Sequence, residues 1–181
     1  AQNFRDEVFP NPEEQYTGRV DCSTSKAKLS AFYANDIMNP KDILEYSKIE
    51  WHVNMFLTIR AYDDNNSTAI ARYDGKNIVP LQFKKNRSFN VKPLKAGQYM
   101  ALEALMQPPE VAPVVIIKGG AGTGKTFLSL AVSLSETIEK NPIYSQILIT
   151  TPAETLREEN LGFLPGDFEQ KFDPYLGGLM D

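Results

Sequence analysis

The chain has 181 residues, 42% of them apolar and 10% aromatic, enough for one full core or for a small and a medium domain. A formal net charge of −4, from 19 basic and 23 acidic side chains, excludes a global attraction to nucleic acid or anionic membrane, so any polyanion contact must come from a local basic surface. A single cysteine, Cys22, and a single histidine, His52, exclude an intrachain disulfide and a Cys- or His-cluster metal site.

In chain order, residues 1–15 are polar and proline-dotted, an irregular lead-in without the basic and apolar regions of a signal peptide. A short strand is expected at 17–21, then a helix at 24–33 with Leu29, Phe32 and Tyr33 on one side. Asn39 before Pro40 reads as an N-cap followed by an N1 proline, opening a short helix through Tyr46. Three β-rich runs follow at 53–61, 68–73 and 77–83, separated by the turn signals Asp63-Asp64-Asn65-Asn66-Ser67 and Asp74-Gly75. Residues 1–90 are therefore expected to form a β-rich accessory module, a small antiparallel sheet with two short helices. The seam lies at 84–95, where Lys84, Lys85, Arg87, Lys92 and Lys95 occur with no acid among them.

From residue 91 to 181 the pattern turns α/β. A helix is expected at 95–106, with Tyr99, Leu102, Leu105 and Met106 at three- and four-residue spacings, stopped by Pro108-Pro109. Residues 112–118 are a short, continuously apolar run, the pattern of a parallel strand covered on both faces. A helix at 126–140 carries Phe127, Ala131, Leu134 and Ile138 on one face, and 146–151 reads as a second buried strand. Strand, helix and strand in this order predict a right-handed βαβ unit of a parallel sheet. The longest wholly apolar run, 114–117, is far short of a membrane span, so no membrane partner is expected. With one cysteine, the natural setting is reducing and cytoplasmic.

Between the first apolar run and its helix stand Gly119, Gly120, Ala121, Gly122, Thr123, Gly124, Lys125 and Thr126, matching G-x-x-x-x-G-K-[ST] at every fixed position. Phosphate oxygens need several N–H donors converging from one loop, which demands backbone angles that glycine adopts cheaply. The following helix N-terminus adds partial positive charge. The motif predicts binding of ATP (or GTP), with Lys125 reaching the β- and γ-phosphates and the Thr126 hydroxyl as a ligand of Mg²⁺. The loop alone does not choose among kinases, GTPases, motors and helicases.

Leu161-Gly162-Phe163-Leu164-Pro165-Gly166-Asp167 and Lys171-Phe172-Asp173-Pro174-Tyr175-Leu176 resemble the PhoH-like ATPase family, which carries L-G-F-L-P-G and K-x-D-P-Y segments shortly after its phosphate loop. The loop at 119–126 resembles that family's G-x-A-G-T-G-K-T, and Ile149-Thr150-Thr151-Pro152-Ala153 its I-x-T-R-P strand end. Ala69-Ile70-Ala71-Arg72-Tyr73-Asp74-Gly75, Val79-Pro80-Leu81 and Tyr16-Thr17-Gly18 are similar to the segment joining a PIN nuclease domain to the ATPase in two-domain members. No spaced aspartates of a nuclease metal site precede it, so nuclease activity is not predicted. The resemblance implies an ATPase of the superfamily-1-like helicase group, acting on RNA and assembled as a homo-oligomeric ring. It also implies that Gln98, twenty-one residues before Gly119, reads the adenine edge; otherwise it is an exposed helical glutamine.

The sequence departs from the family in three places. Thr151 replaces the arginine of I-x-T-R-P; residues 152–161 are one residue longer than usual; and no apolar strand ending in Asp-Glu follows the loop. The chain is therefore expected to be a piece of a longer protein, weak or inactive by itself, with the water-positioning acid supplied elsewhere. Other candidates divide between site and scaffold. The basic run 84–95 with Phe83 and Phe89 is either a track for a phosphate backbone or a solvated linker. Arg60, Tyr62, Arg72 and Tyr73 are expected exposed, as an RNA surface or as cover for a half-buried sheet. Glu158 and Glu159 read as a solvated loop face rather than bases, and Phe163, Leu164 and Pro165 as a groove or a core plug. Two other classes stand beside the RNA-coupled ATPase. A nucleotide-dependent regulatory or scaffold protein that binds without remodelling nucleic acid is the first alternative, whereas a small-molecule kinase is poor because Arg157 is the only arginine after Thr126.

Overall fold

The computed structural model describes residues 16–83, 91–138 and 142–150. Its sheet has four strands in the order β1 (Arg19–Thr24), β2 (Phe56–Ala61), β3 (Asp64–Tyr73) and β4 (Ile78–Pro80). β1 runs parallel to β2, and the other pairs are antiparallel. The sheet is mixed, which corrects the expected antiparallel one. A parallel pair needs a long crossover, and residues 25–55 supply it with helix α1 (Lys26–Asn35) and two single 3-10 turns, Pro40–Asp42 and Tyr46–Lys48.

Local chemistry sets each element. Ser25 caps α1 by accepting from the Lys28 amide, and Asp36 ends it in the left-handed region at φ 55°. Asn39 caps the first 3-10 turn, its Oδ1 taking the Lys41 amide at 3.0 Å with Pro40 in the first position. The expected helix through Tyr46 stops after one turn, because Ile43 returns to extended geometry and is buried. Alternation along β2 sends Leu57, Ile59 and Ala61 inward opposite Ala71 and Ala69 of β3, where α1 covers them with Leu29 and Phe32. Cys22 of β1 lies in the same core, and burial pushes its thiol up to about 12, so it is an inert core side chain. Trp51 closes the margin, its ring edge-on to Tyr73 at 5.1 Å.

The β2–β3 turn is Tyr62-Asp63, so of the expected turn run 63–67 only Asp63 lies in it; the rest forms a bulge in β3 opposite the register shift between Arg60 and Ala61 of β2. The Asp64 carboxylate holds this bulge by accepting from the Asn66 amide and the Ser67 hydroxyl, and it pairs with Lys26 at 2.8 Å. The Lys26 ammonium, with those two donors, lowers the Asp64 pKa from 3.8 to about 2. Because the folded value is depressed, its stabilisation is present above the unfolded pKa and lost as pH falls through the folded one. Asp64→Asn should therefore flatten the melting-temperature profile between about pH 4 and pH 2. An unchanged acid limb in a thermal-melt series would contradict the assignment.

Helices α2 (Ala96–Leu105) and α3 (Lys125–Ile138) pack on each other. Met100 and Leu102 are buried from one, and Leu128, Ala131 and Val132 from the other. The buried stripe of α3 is thus one position away from the expected one, and Phe127 and Ile138 are exposed at 52% and 64%. The apolar sector of this helix takes in about half its circumference, wider than a single stripe, and packing on α2 selects the edge formed by Leu128, Ala131 and Val132. Residues 112–118 and 146–150 carry no regular secondary structure and join no ladder among the described residues, with Val114, Ile116 and Leu148 about four-fifths exposed. The α/β class holds; the expected parallel pairing of these two runs is not formed, since parallel strands need hydrogen-bonding neighbours on the same sheet.

Candidate nucleotide site

The phosphate-loop motif lies where an irregular segment meets the first turn of a long helix. Gly122 and Gly124 take φ of 69° and 84°, values that side-chain-bearing residues adopt only with strain. A Cβ added at Gly120 or Gly122 would meet nothing within 4 Å, so the loop leaves open space beside its amides. One at Gly119 would come within 3.3 Å of Thr123 Oγ1. The loop holds itself by a hydrogen bond from the Thr123 hydroxyl to the Gly120 carbonyl at 2.9 Å. α3 begins at Lys125, and its first-turn bond runs from the Leu128 amide to the Gly124 carbonyl.

Lys125 curls back over the loop. Its ammonium donates to the Gly119 carbonyl at 2.9 Å and to the Gly120 carbonyl at 2.7 Å. A cation held over a glycine-rich loop at a helix N-terminus is a donor set for phosphate. Thr126 is exposed in the first turn beside it, with a hydroxyl suited to a hard cation such as Mg²⁺. Ala121 is exposed at the loop tip.

Gln98 is brought to the loop by α2. Its Oε1 accepts from the Leu94 and Lys95 amides at 2.7 and 3.3 Å, capping the helix, while its Nε2 donates to the Thr123 carbonyl at 3.2 Å. A Cβ on Gly124 would sit 3.4 Å from the same Nε2. Gln98 therefore braces the loop, with both ends of its amide engaged by protein.

Sequence reading missed a polar group between the sheet and the loop-bearing helices. Arg72, expected exposed, is only 5% exposed. Its Nη1 donates to Asn54 Oδ1 at 2.9 Å, and its Nε lies 3.6 Å from Glu103 Oε1 of α2. Glu103, 1% exposed, also accepts from the Phe83 amide and the Gln107 amide group, both at 2.9 Å. An acid in the apolar stripe of α2 is a signal for a buried cation, and no residue of that helix supplies one. Tyr73 is likewise half-buried, its hydroxyl donating to the Gly75 carbonyl, so the expected basic-aromatic surface reduces to Arg60 and Tyr62.

His52 packs tilted against the Tyr16 ring and lies 3.4 Å from Glu50, and no metal-holding cluster occurs among the described residues. No helix among them is long and apolar enough to cross a membrane. Residues 84–90 of the basic run, Glu158, Glu159, and Phe163, Leu164 and Pro165 lie outside the described residues.

The family model for PhoH-like protein matches residues 90–181, just over half of the chain. Protein PhoH2 of Bacillus subtilis is 29% identical over 183 residues, spanning all of this chain and 40% of that protein. Protein PhoH2 of Thermobispora bispora is 31% identical over 93% of the chain and 36% of its own length. A PhoH-like protein of Bacillus subtilis is 38% identical over 97 residues, 54% of the chain and 28% of its own length. The chain thus spans two-fifths or less of these curated relatives. No solved structure matches it.

Proposed function

The chain belongs to the PhoH-like protein family, and from that premise we propose that it forms the ATP-binding part of an ATPase that couples hydrolysis to RNA. The observation that carries this reading is the loop at 119–124 entering α3 with the Lys125 ammonium folded over it. Loop amides and Lys125 would take the β- and γ-phosphates, exchanging the two carbonyl contacts of the ammonium for phosphate oxygens. Thr126 would hold Mg²⁺, which neutralises charge on the transferred phosphoryl group. The open space beside Gly120 and Gly122 and the hard-oxygen chemistry of Thr126 fit both groups. The water-positioning acid belongs to the longer protein, and the chain by itself binds nucleotide weakly and turns it over negligibly. A β-rich module at 1–90, a loop-bearing unit at 91–181, a homo-oligomeric ring and a cytoplasmic setting complete the reading.

The test is steady-state hydrolysis by the full-length protein with and without single-stranded RNA, beside calorimetric titration of a non-hydrolysable ATP analogue with Mg²⁺. Analogue binding and a several-fold rise in turnover on adding RNA are the expected results. Binding without any rise would favour a nucleotide-dependent regulatory or scaffold protein; no binding would remove the nucleotide reading itself.

A further inference from the structure

We infer that Asn54, Arg72 and Glu103 are positioning residues for the phosphate loop, through which the small sheet sets the loop's geometry. The network joins the sheet to both supports of the loop. One is α2, gripped at Glu103 by Arg72 of β3 and by the Phe83 amide that follows β4. Gln98, which braces Thr123, stands five residues earlier on that helix, about 7.5 Å along its axis. A tilt of α2 at Glu103 therefore moves the Gln98 amide against the loop. The other support is the segment leading into Gly119: the Asn54 Nδ2 donates to the Val111 carbonyl at 2.7 Å.

Asn54 is the joint between the two arms. It sits at φ 67°, fixed by its own amide donating to the Tyr73 carbonyl, and gives its Oδ1 to Arg72 and its Nδ2 to Val111. Such a group is costly to bury. Arg72 and Glu103 are almost fully enclosed, and the Arg72 Nε has no hydrogen-bond acceptor within reach. Buried ion pairs are often no more stabilising than apolar packing, so their value lies in fixing one arrangement. Here the arrangement fixed is that of α2 and the lead-in segment against the sheet, and whatever shifts the sheet shifts the loop.

The affinity arm of the test rests on the nucleotide reading above, whereas a second arm does not. Asn54→Asp keeps the acceptor for Arg72 and tolerates the left-handed backbone but removes the donor to Val111; Glu103→Gln keeps shape and the Phe83 contact but removes the charge. In the full-length protein each variant should weaken binding of an ATP analogue about three- to tenfold at a temperature well below melting. Combined with Gln98→Ala, Glu103→Gln should be less than additive, because both act through one helix. Independently, amide hydrogen exchange without nucleotide should quicken at residues 119–126 in Asn54→Asp, with β1 and β2 amides unchanged. Wild-type exchange across the loop in both variants overturns the inference. Should the parent protein bind no nucleotide, faster loop exchange would still uphold the coupling while the nucleotide reading fell.

Discussion

Lys125→Ala is expected to lower affinity for an ATP analogue about a hundredfold, because the lost contact is a charge-assisted one made at the centre of the donor set. In the structure this ammonium has no partner in the core. Its bonds go to the Gly119 and Gly120 carbonyls, two exposed loop groups that water can serve equally well. Alanine is also a good residue for the first turn of α3. The folded state should therefore change by about 0.5 kcal/mol or less, the usual range for a surface substitution. Calorimetric titration beside a thermal melt reads both quantities. Unchanged affinity would show that phosphate is held elsewhere, and a large drop in melting temperature would show that the side chain is structural.

Phe32→Ala should destabilise the fold by about 3–5 kcal/mol. Phe32 is 2% exposed at the C-terminal turn of α1, in the layer that covers Leu57, Ile59, Ala69 and Ala71. Removing the ring leaves a cavity that a helix tied at both ends cannot collapse: Ser25 caps one end, and the Asp36 amide bonds the Phe32 carbonyl at the other. Its neighbour is the control. Tyr33 is 58% exposed and loses the hydrogen bond from its hydroxyl to the Thr68 carbonyl and a tilted ring contact with Phe32 at 5.8 Å, so Tyr33→Ala should cost about 1 kcal/mol. Urea unfolding followed by the fluorescence of Trp51, the single tryptophan, reports on this core directly. Equal midpoints for the two variants would mean that α1 does not cover the sheet. Since domains are stable by only about 5–15 kcal/mol, the Phe32 change should also loosen the sheet that supports the loop.

The candidate site was legible because its chemistry is local. Eight consecutive residues, Gly119 to Thr126, carry their own backbone angles, their own donors and the helix start, and the structure places Gly122 and Gly124 at the positive φ that such a loop requires. The Asn39 cap was legible for the same reason, since it acts on the Lys41 amide two residues away, whereas the Ser25 cap was not read. The direction of β1 was not read, although the helix between two strands signalled a crossover. Nor was the buried stripe of α3, since the apolar sector of that helix is wider than one stripe and only the neighbour chooses which edge is covered.

Sequence by itself determined the family, the glycine-dense loop motif, the helices that flank it and most strand positions, because each rests on interactions within one turn or one short segment. Tertiary structure alone decided that Arg72 is an interior cation rather than part of a surface, and that Asn54 and Glu103 bind the sheet to the loop's two supports. Those partners lie 18 to 57 residues apart along the chain. A charge so distant from its counterpart reads as solvent-exposed until the chain brings the two together, and burial then reverses its meaning.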